Sequence, residues 1–109
     1  MFQVSLGRVR DRVAFVEGGE TLQLTVDGDA ARMVHALTEA QKALNGINNE
    51  STAEETQKAA MMFAEAIFGN GQAKKLMDFY HNESVCVIEA CGKYFSGSLS
   101  KKISKAQKI

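Results

Sequence analysis

The chain has 109 residues, 45% of them hydrophobic, and its thirteen basic side chains are matched by thirteen acidic ones. That length fits a single globular domain able to bury roughly 65% of its unfolded surface, and a neutral balance lacks the strong basic field of an electrostatic nucleic-acid binder. The charge is divided, however: Met1 to Glu55 carries five Lys/Arg and nine Asp/Glu, the remainder eight and four, so the halves are −4 and +4 and can attract within one fold or between subunits.

The N-terminus, MFQVSLGRVRDR, shows no long apolar core after a basic start, and no apolar run reaches the ~18 residues needed to span a bilayer. A soluble, cytoplasmic protein is expected. Phe2, Val4 and Leu6 alternate and suggest an early or additional strand. Arg8 to Glu17 and Glu20 to Val26 flank Gly18-Gly19, a pair suited to a two-residue hairpin loop. Leu22, Leu24 and Val26 alternate with polar residues, and Val9, Val13 and Phe15 can face them. A β-hairpin with one buried face follows, and because an isolated hairpin is marginal in water, helices must cover that face.

Asp27-Gly28-Asp29 closes the hairpin, and Asp29 is placed to cap a helix running from Ala30 to about Asn45. Met33, Leu37, Ala40 and Leu44 give it an apolar stripe that Val34 widens, and Gly46 ends it. After a polar connection, Ser51 or Thr52 followed by Glu54 and Glu55 supplies a capping-box start for a second long helix. From Ala59 to Phe68 this helix carries only Glu65 as a charge, so it is apolar around most of its circumference. Ala59, Met62, Phe63, Ala66 and Ile67 form a broad face, and Met61, Ala64 and Phe68 a narrower second one.

Gly69 is the expected C′ glycine, with Asn70 and Gly71 as a short turn before a third helix that begins at Gln72 and bears Ala73, Leu76, Met77 and Tyr80. Ser84 to Phe95 is ambiguous. Val85 to Ile88 is strand-like, whereas Ile88, Cys91, Phe95 and Leu99 keep helical spacing, and helix is favoured. With Cys86 and Cys91 five apart in a helix, their α-carbons fall roughly 8–9 Å apart, beyond the ~7 Å limit for a disulfide, so reduced thiols are expected. The apolar pattern thins after Leu99, and residues 100–109, with four lysines, are expected to be a flexible basic tail on a domain formed by residues 1–99. The fold class is therefore α+β: an N-terminal β-hairpin packed on a bundle of three to four α-helices.

Catalytic chemistry finds no support. Gly69, Gly71, Lys74 and Lys75 do not make a phosphate loop, since that needs GxxxxGK[ST] after a buried strand. His35 and His81 lie in separate segments, and Cys86 and Cys91 lack the CxxC spacing of zinc or redox sites. No set supplies a nucleophile, base and polariser together, so no catalytic residue, metal or cofactor is assigned and an enzyme is not expected. Two candidate surfaces remain. Arg8, Arg10 and Arg12 would form one basic row on a strand, but no aromatic platform interleaves with them, which argues against nucleic acid. The face bearing Met61, Ala64 and Phe68 is either buried by later helices or free to grip a partner or another copy of the chain, and methionine suits a surface facing varied apolar helices.

A hairpin, a polar linker and a helix closing in FAEAIFGNGQAKKLM, with Phe63, Ile67, Phe68, Gly69, Gly71 and Leu76 in the pattern, resembles the small tail assembly chaperones of long-tailed phages and prophages of Gram-positive bacteria. The resemblance implies a non-enzymatic factor that coats the helical tape-measure protein in the host cytoplasm, is displaced by tail-tube subunits and is absent from the finished virion. Family members are often made also as a frameshifted, extended product. Relatives often end in acidic residues, whereas this chain ends in lysines. A small DNA-binding regulator using the arginine row, or a structural tail or connector component, are the competing readings.

Overall fold

The computed structural model describes residues 7–107. Strands β1 (Arg8–Glu17) and β2 (Glu20–Asp29) form a two-stranded antiparallel sheet around Gly18-Gly19, whose φ angles of 55° and 82° are those that a two-residue loop matched to strand twist requires. Val13 lies opposite Leu24 and Phe15 opposite Leu22, so the alternation read from the sequence puts one apolar face inward. Val9, Phe15, Leu24 and Val26 are buried on that face. The second strand runs three residues beyond its expected end, because Asp27, Gly28 and Asp29 pair with Arg10, Val9 and Arg8. The alternation of Phe2, Val4 and Leu6 lies outside the described residues.

Helix α1 (Ala30–Asn45) starts at Asp29, whose Oδ1 accepts a 3.0 Å hydrogen bond from the Arg32 N–H, and Gly46 closes it. Helix α2 (Ala53–Phe68) opens on the expected capping box: Thr52 Oγ1 accepts from the Glu55 N–H at 3.1 Å, and Glu55 Oε1 accepts from the Thr52 N–H at 3.3 Å. It packs most extensively on α1 and also meets α3, α4 and β2. Ala60 and Ala64, fully buried on α2, and Ala40 on α1 leave little side chain in the way of close approach.

Gly69 separates α2 from α3 (Asn70–Phe79) with φ 85° and ψ 165°, a region open essentially to glycine alone. The third helix thus begins at Asn70 rather than Gln72; one glycine suffices for the break, and no separate turn intervenes. It ends with His81 at φ 55°, the Asn82 N–H donating to the Met77 carbonyl and the His81 N–H to the Asp78 carbonyl, the paired bonds of a Schellman turn. Asn82 therefore closes α3.

Helix α4 (Ser84–Tyr94) confirms the helical reading of this segment. It continues through a π-helical turn, Phe95–Leu99, into α5 (Ser100–Gln107) without leaving right-handed helical geometry, so the fold is an N-terminal hairpin followed by four helical bodies. The expectation of a flexible tail is corrected here. Ile103 and Ala106 are buried, α5 packs on α1 and β1, and a Cβ on Gly7 would fall 2.5 Å from the Ala106 carbonyl oxygen. The apolar pattern thins there because α5 buries only Ile103 and Ala106, its other residues being lysine, serine and glutamine.

Two substitutions test these assignments. Gly69→Val should lower the unfolding free energy by about 1–3 kcal/mol although space around the position is open, since the cost lies in the backbone. Ile103→Ala should cost about 2–4 kcal/mol in a urea titration, the range for truncating a buried isoleucine; an unchanged midpoint would return residues 100–107 to the status of a loose tail.

Candidate functional site

The second face of α2 is interior. Ala64 is 0% and Phe68 6% exposed, and only Met61 reaches partway to the surface. The Phe68 ring meets Phe15 edge-on at 5.7 Å and stacks on Tyr94 at 6.0 Å, while Tyr80 lies edge-on to Phe15 at 6.5 Å. Ala64 and Phe68 are thus corrected from partner-binding candidates to core residues, with Met61 half-buried at the margin: the hairpin covers this face from one side and α4 from the other. A sequence reading could not choose between an internal and an external cover for the same apolar stripe.

The arginine row exists as drawn, on the solvent face of β1. Its charge is partly answered from β2: Arg8 Nε lies 2.7 Å and Arg10 Nε 3.4 Å from Asp27 Oδ1, and the hydrogen bond from Arg8 holds the Asp27 carboxyl below the usual carboxylate range. Arg8 and Arg10 thereby join a cross-strand ion-pair cluster, whereas Arg12, the third of the row, makes no ion pair among the described residues. Such an arrangement guards an open sheet face better than it binds a phosphate backbone.

Side-chain devices that the sequence did not reveal lock the two sheet edges. The Gln72 amide takes both backbone groups of Thr25, accepting from its N–H at 2.8 Å and donating to its carbonyl at 2.7 Å, and also donates to the Phe68 carbonyl at the end of α2 at 2.9 Å. It occupies the place of one residue of a missing third strand. On the opposite edge, Asp11 accepts from the Arg12 N–H at 2.9 Å and from Tyr94 Oη at 2.8 Å. Burial, reinforced by this bond to Asp11, pushes the Tyr94 phenol up.

On the helical side, two adjoining cavities of about 250 and 210 Å³ share Leu37, Gln41 and Phe95. Together they make a cleft between α1, the π-helical turn and α5, with Phe63 of α2 in its floor and Val34, Leu44 and Ile103 among its apolar walls. The π-helical turn turns Phe95 toward this cleft while Leu99 stays fully buried. Such turns are often found at functional positions. The helical spacing of Ile88, Cys91, Phe95 and Leu99 does not reveal this turn; the Ser96-Gly97-Ser98 stretch is its one local cue.

Lys74 and Lys75 are exposed on α3, and His35 and His81 are exposed on separate elements. No helix of the described residues is long and apolar enough to cross a membrane. Compared with protein-family models, with curated proteins and with solved structures, the chain matches none.

Cys86 is exposed and Cys91 buried, both as free thiols, and burial pushes the Cys91 thiol up from 9.0 to about 12. In the unfolded chain it would ionise near 9.0; in the fold it stays protonated, so its stabilising share is whole below that pH and is lost as pH rises toward about 12. Burial raises Tyr80 and Tyr94 in the same sense. The urea midpoint should therefore hold below about pH 9 and fall steadily from there toward about pH 12. At the lower pH a thiol reagent should modify Cys86 at once and Cys91 only on unfolding; equal rates for both would contradict the burial.

Proposed function

We propose that this protein is a non-enzymatic assembly chaperone of the phage or prophage tail type, which binds amphipathic helices of a tape-measure protein in the host cytoplasm and holds them soluble until tail-tube subunits replace it. The observation that carries this reading is the cleft between α1 and the π-helical turn, where Val34, Leu37, Leu44 and Phe95 remain partly exposed around an apolar floor. An amphipathic helix lays its apolar stripe into such a groove, and the lining residues here carry no formal charge. A shallow cleft of this size gives weak individual contacts. Repeated along one long client, weak contacts add through multivalency and still come apart stepwise when a stronger partner arrives. The resemblance around Phe68-Gly69-Asn70-Gly71 supports the same reading, with the difference that these residues set the break between α2 and α3 and do not form the contact surface.

Co-expression with a tape-measure protein encoded beside this gene tests the proposal directly. The wild-type chain should raise the soluble fraction of the client and co-purify with it at high salt, because apolar contacts are insensitive to the screening that dissolves phosphate-dominated complexes. Leu37→Glu, at a partly exposed position, should abolish co-purification while the variant keeps its circular dichroism spectrum. An equally insoluble client with no complex at any salt concentration would refute the chaperone reading, and recovery of the protein in purified virions would favour a structural tail component.

A further inference from the structure

The sheet edge of β1 near the hairpin loop carries an inference independent of the helical cleft. A two-residue loop makes Glu17 and Glu20 the closing hydrogen-bonded pair, so odd-numbered residues of β1 bond to β2 and even-numbered ones direct N–H and C=O outward. Gln72 on Thr25, the residue opposite Arg12, and Asp11 on the Arg12 N–H agree with this phase, since both lie on the outer edges. Beyond them the guarding stops. Among the described residues, no backbone or side-chain group takes the N–H or C=O of Ala14 or Val16, and Val16 is 67% exposed.

Beside this open edge lies a groove of about 500 Å³, walled on its far side by α4 and lined by Phe15, Tyr80, Ala90 and Tyr94. Tyr94 meets Asp11, so the earlier residues of α4 follow the edge toward the loop. Glu17 and Glu89 consequently mark the loop end of the groove, and Lys93 the other. Its second wall is a helix, not another strand.

We propose that this groove binds an extended peptide segment of a partner protein by strand addition to Ala14–Val16, antiparallel to β1, with an apolar side chain on the Tyr80–Ala90 floor. The order of charges along the groove fixes the partner's chemistry: a basic residue on the N-terminal side of the apolar position, facing Glu17 and Glu89, and an acidic residue on its C-terminal side, facing Lys93. Backbone pairing supplies the attachment, and alternate side chains supply the selectivity.

Fluorescence anisotropy with labelled peptides decides this. The peptide KTVTVTE should bind saturably, with its valines opposite Val13 and Phe15 and its first two threonines bonded to Ala14 and Val16; ETVTVTK, or KTVTVTE carrying N-methyl groups on those two threonines, should bind at least about tenfold more weakly through lost charge pairs or edge hydrogen bonds. Ala14→Pro removes an outward N–H that the hairpin does not use, so the fold should survive while peptide affinity falls by a similar factor. If that variant fails to fold, the N-methylated peptide alone carries the test. Equal affinity for the methylated and parent peptides, or no binding of either charge order, overturns the proposal. So does a concentration-dependent dimer that Val16→Lys disrupts and peptide does not, which would assign the edge to a second copy of the chain.

Discussion

The edge-on contact between Phe15 and Phe68 is the interaction on which the rest of the fold depends. A two-stranded hairpin buries too little to persist alone, and its inner face becomes stable only when a helix covers Phe15, Leu24 and Val26. Phe68 does this from the last position of α2, and Tyr94 stacks on its other side. Three segments far apart in sequence therefore meet at one aromatic ring. Full burial of such a side chain stabilises by roughly 1.5–3 kcal/mol, with something added for the favourable ring geometry.

Placing the anchor at the very end of α2 creates a second requirement. The chain turns at once, and Gly69 supplies that turn in a backbone region few other residues enter. The turn in turn presents Gln72, whose amide satisfies the Phe68 carbonyl at the helix end and both backbone groups of Thr25 at the sheet edge. One side chain thus replaces a strand and a helix cap, which explains how a sheet of only two strands tolerates an edge facing the helices.

Much of this was legible in the residues. The Gly18-Gly19 loop, the hairpin alternation, the Asp29 cap and the Thr52–Glu55 box are local signals, each fixed by neighbours within a few positions, and the structure reproduces them. What escaped reading depends on distant partners. Whether Met61, Ala64 and Phe68 face inward depends on where the hairpin and α4 come to rest; the role of Gln72 depends on a strand 47 residues away. The helix at residues 100–107 was missed for a related reason: Ile103 and Ala106 make a stripe only two residues wide, and it becomes significant when the start of β1 and α1 are there to receive it.

A helix that is apolar on nearly every side is spent inside the fold, as α2 is, because the hairpin, α1, α3 and α4 all need it. Surplus apolar surface arises instead on helices whose stripe is wider than their internal contact. Helix α1 is such a case: Met33 and Ala40 meet the core, whereas Val34, Leu37 and Leu44 lie at the margin of that contact and share a cleft with Phe95. The π-helical turn extends this effect, since one extra residue within the turn shifts the helical phase and lets Phe95 and the buried Leu99 serve different neighbours. The most hydrophobic stretch of the sequence thus builds the core, and the apolar surface left exposed comes from residues whose hydrophobic pattern is only slightly more than the fold requires.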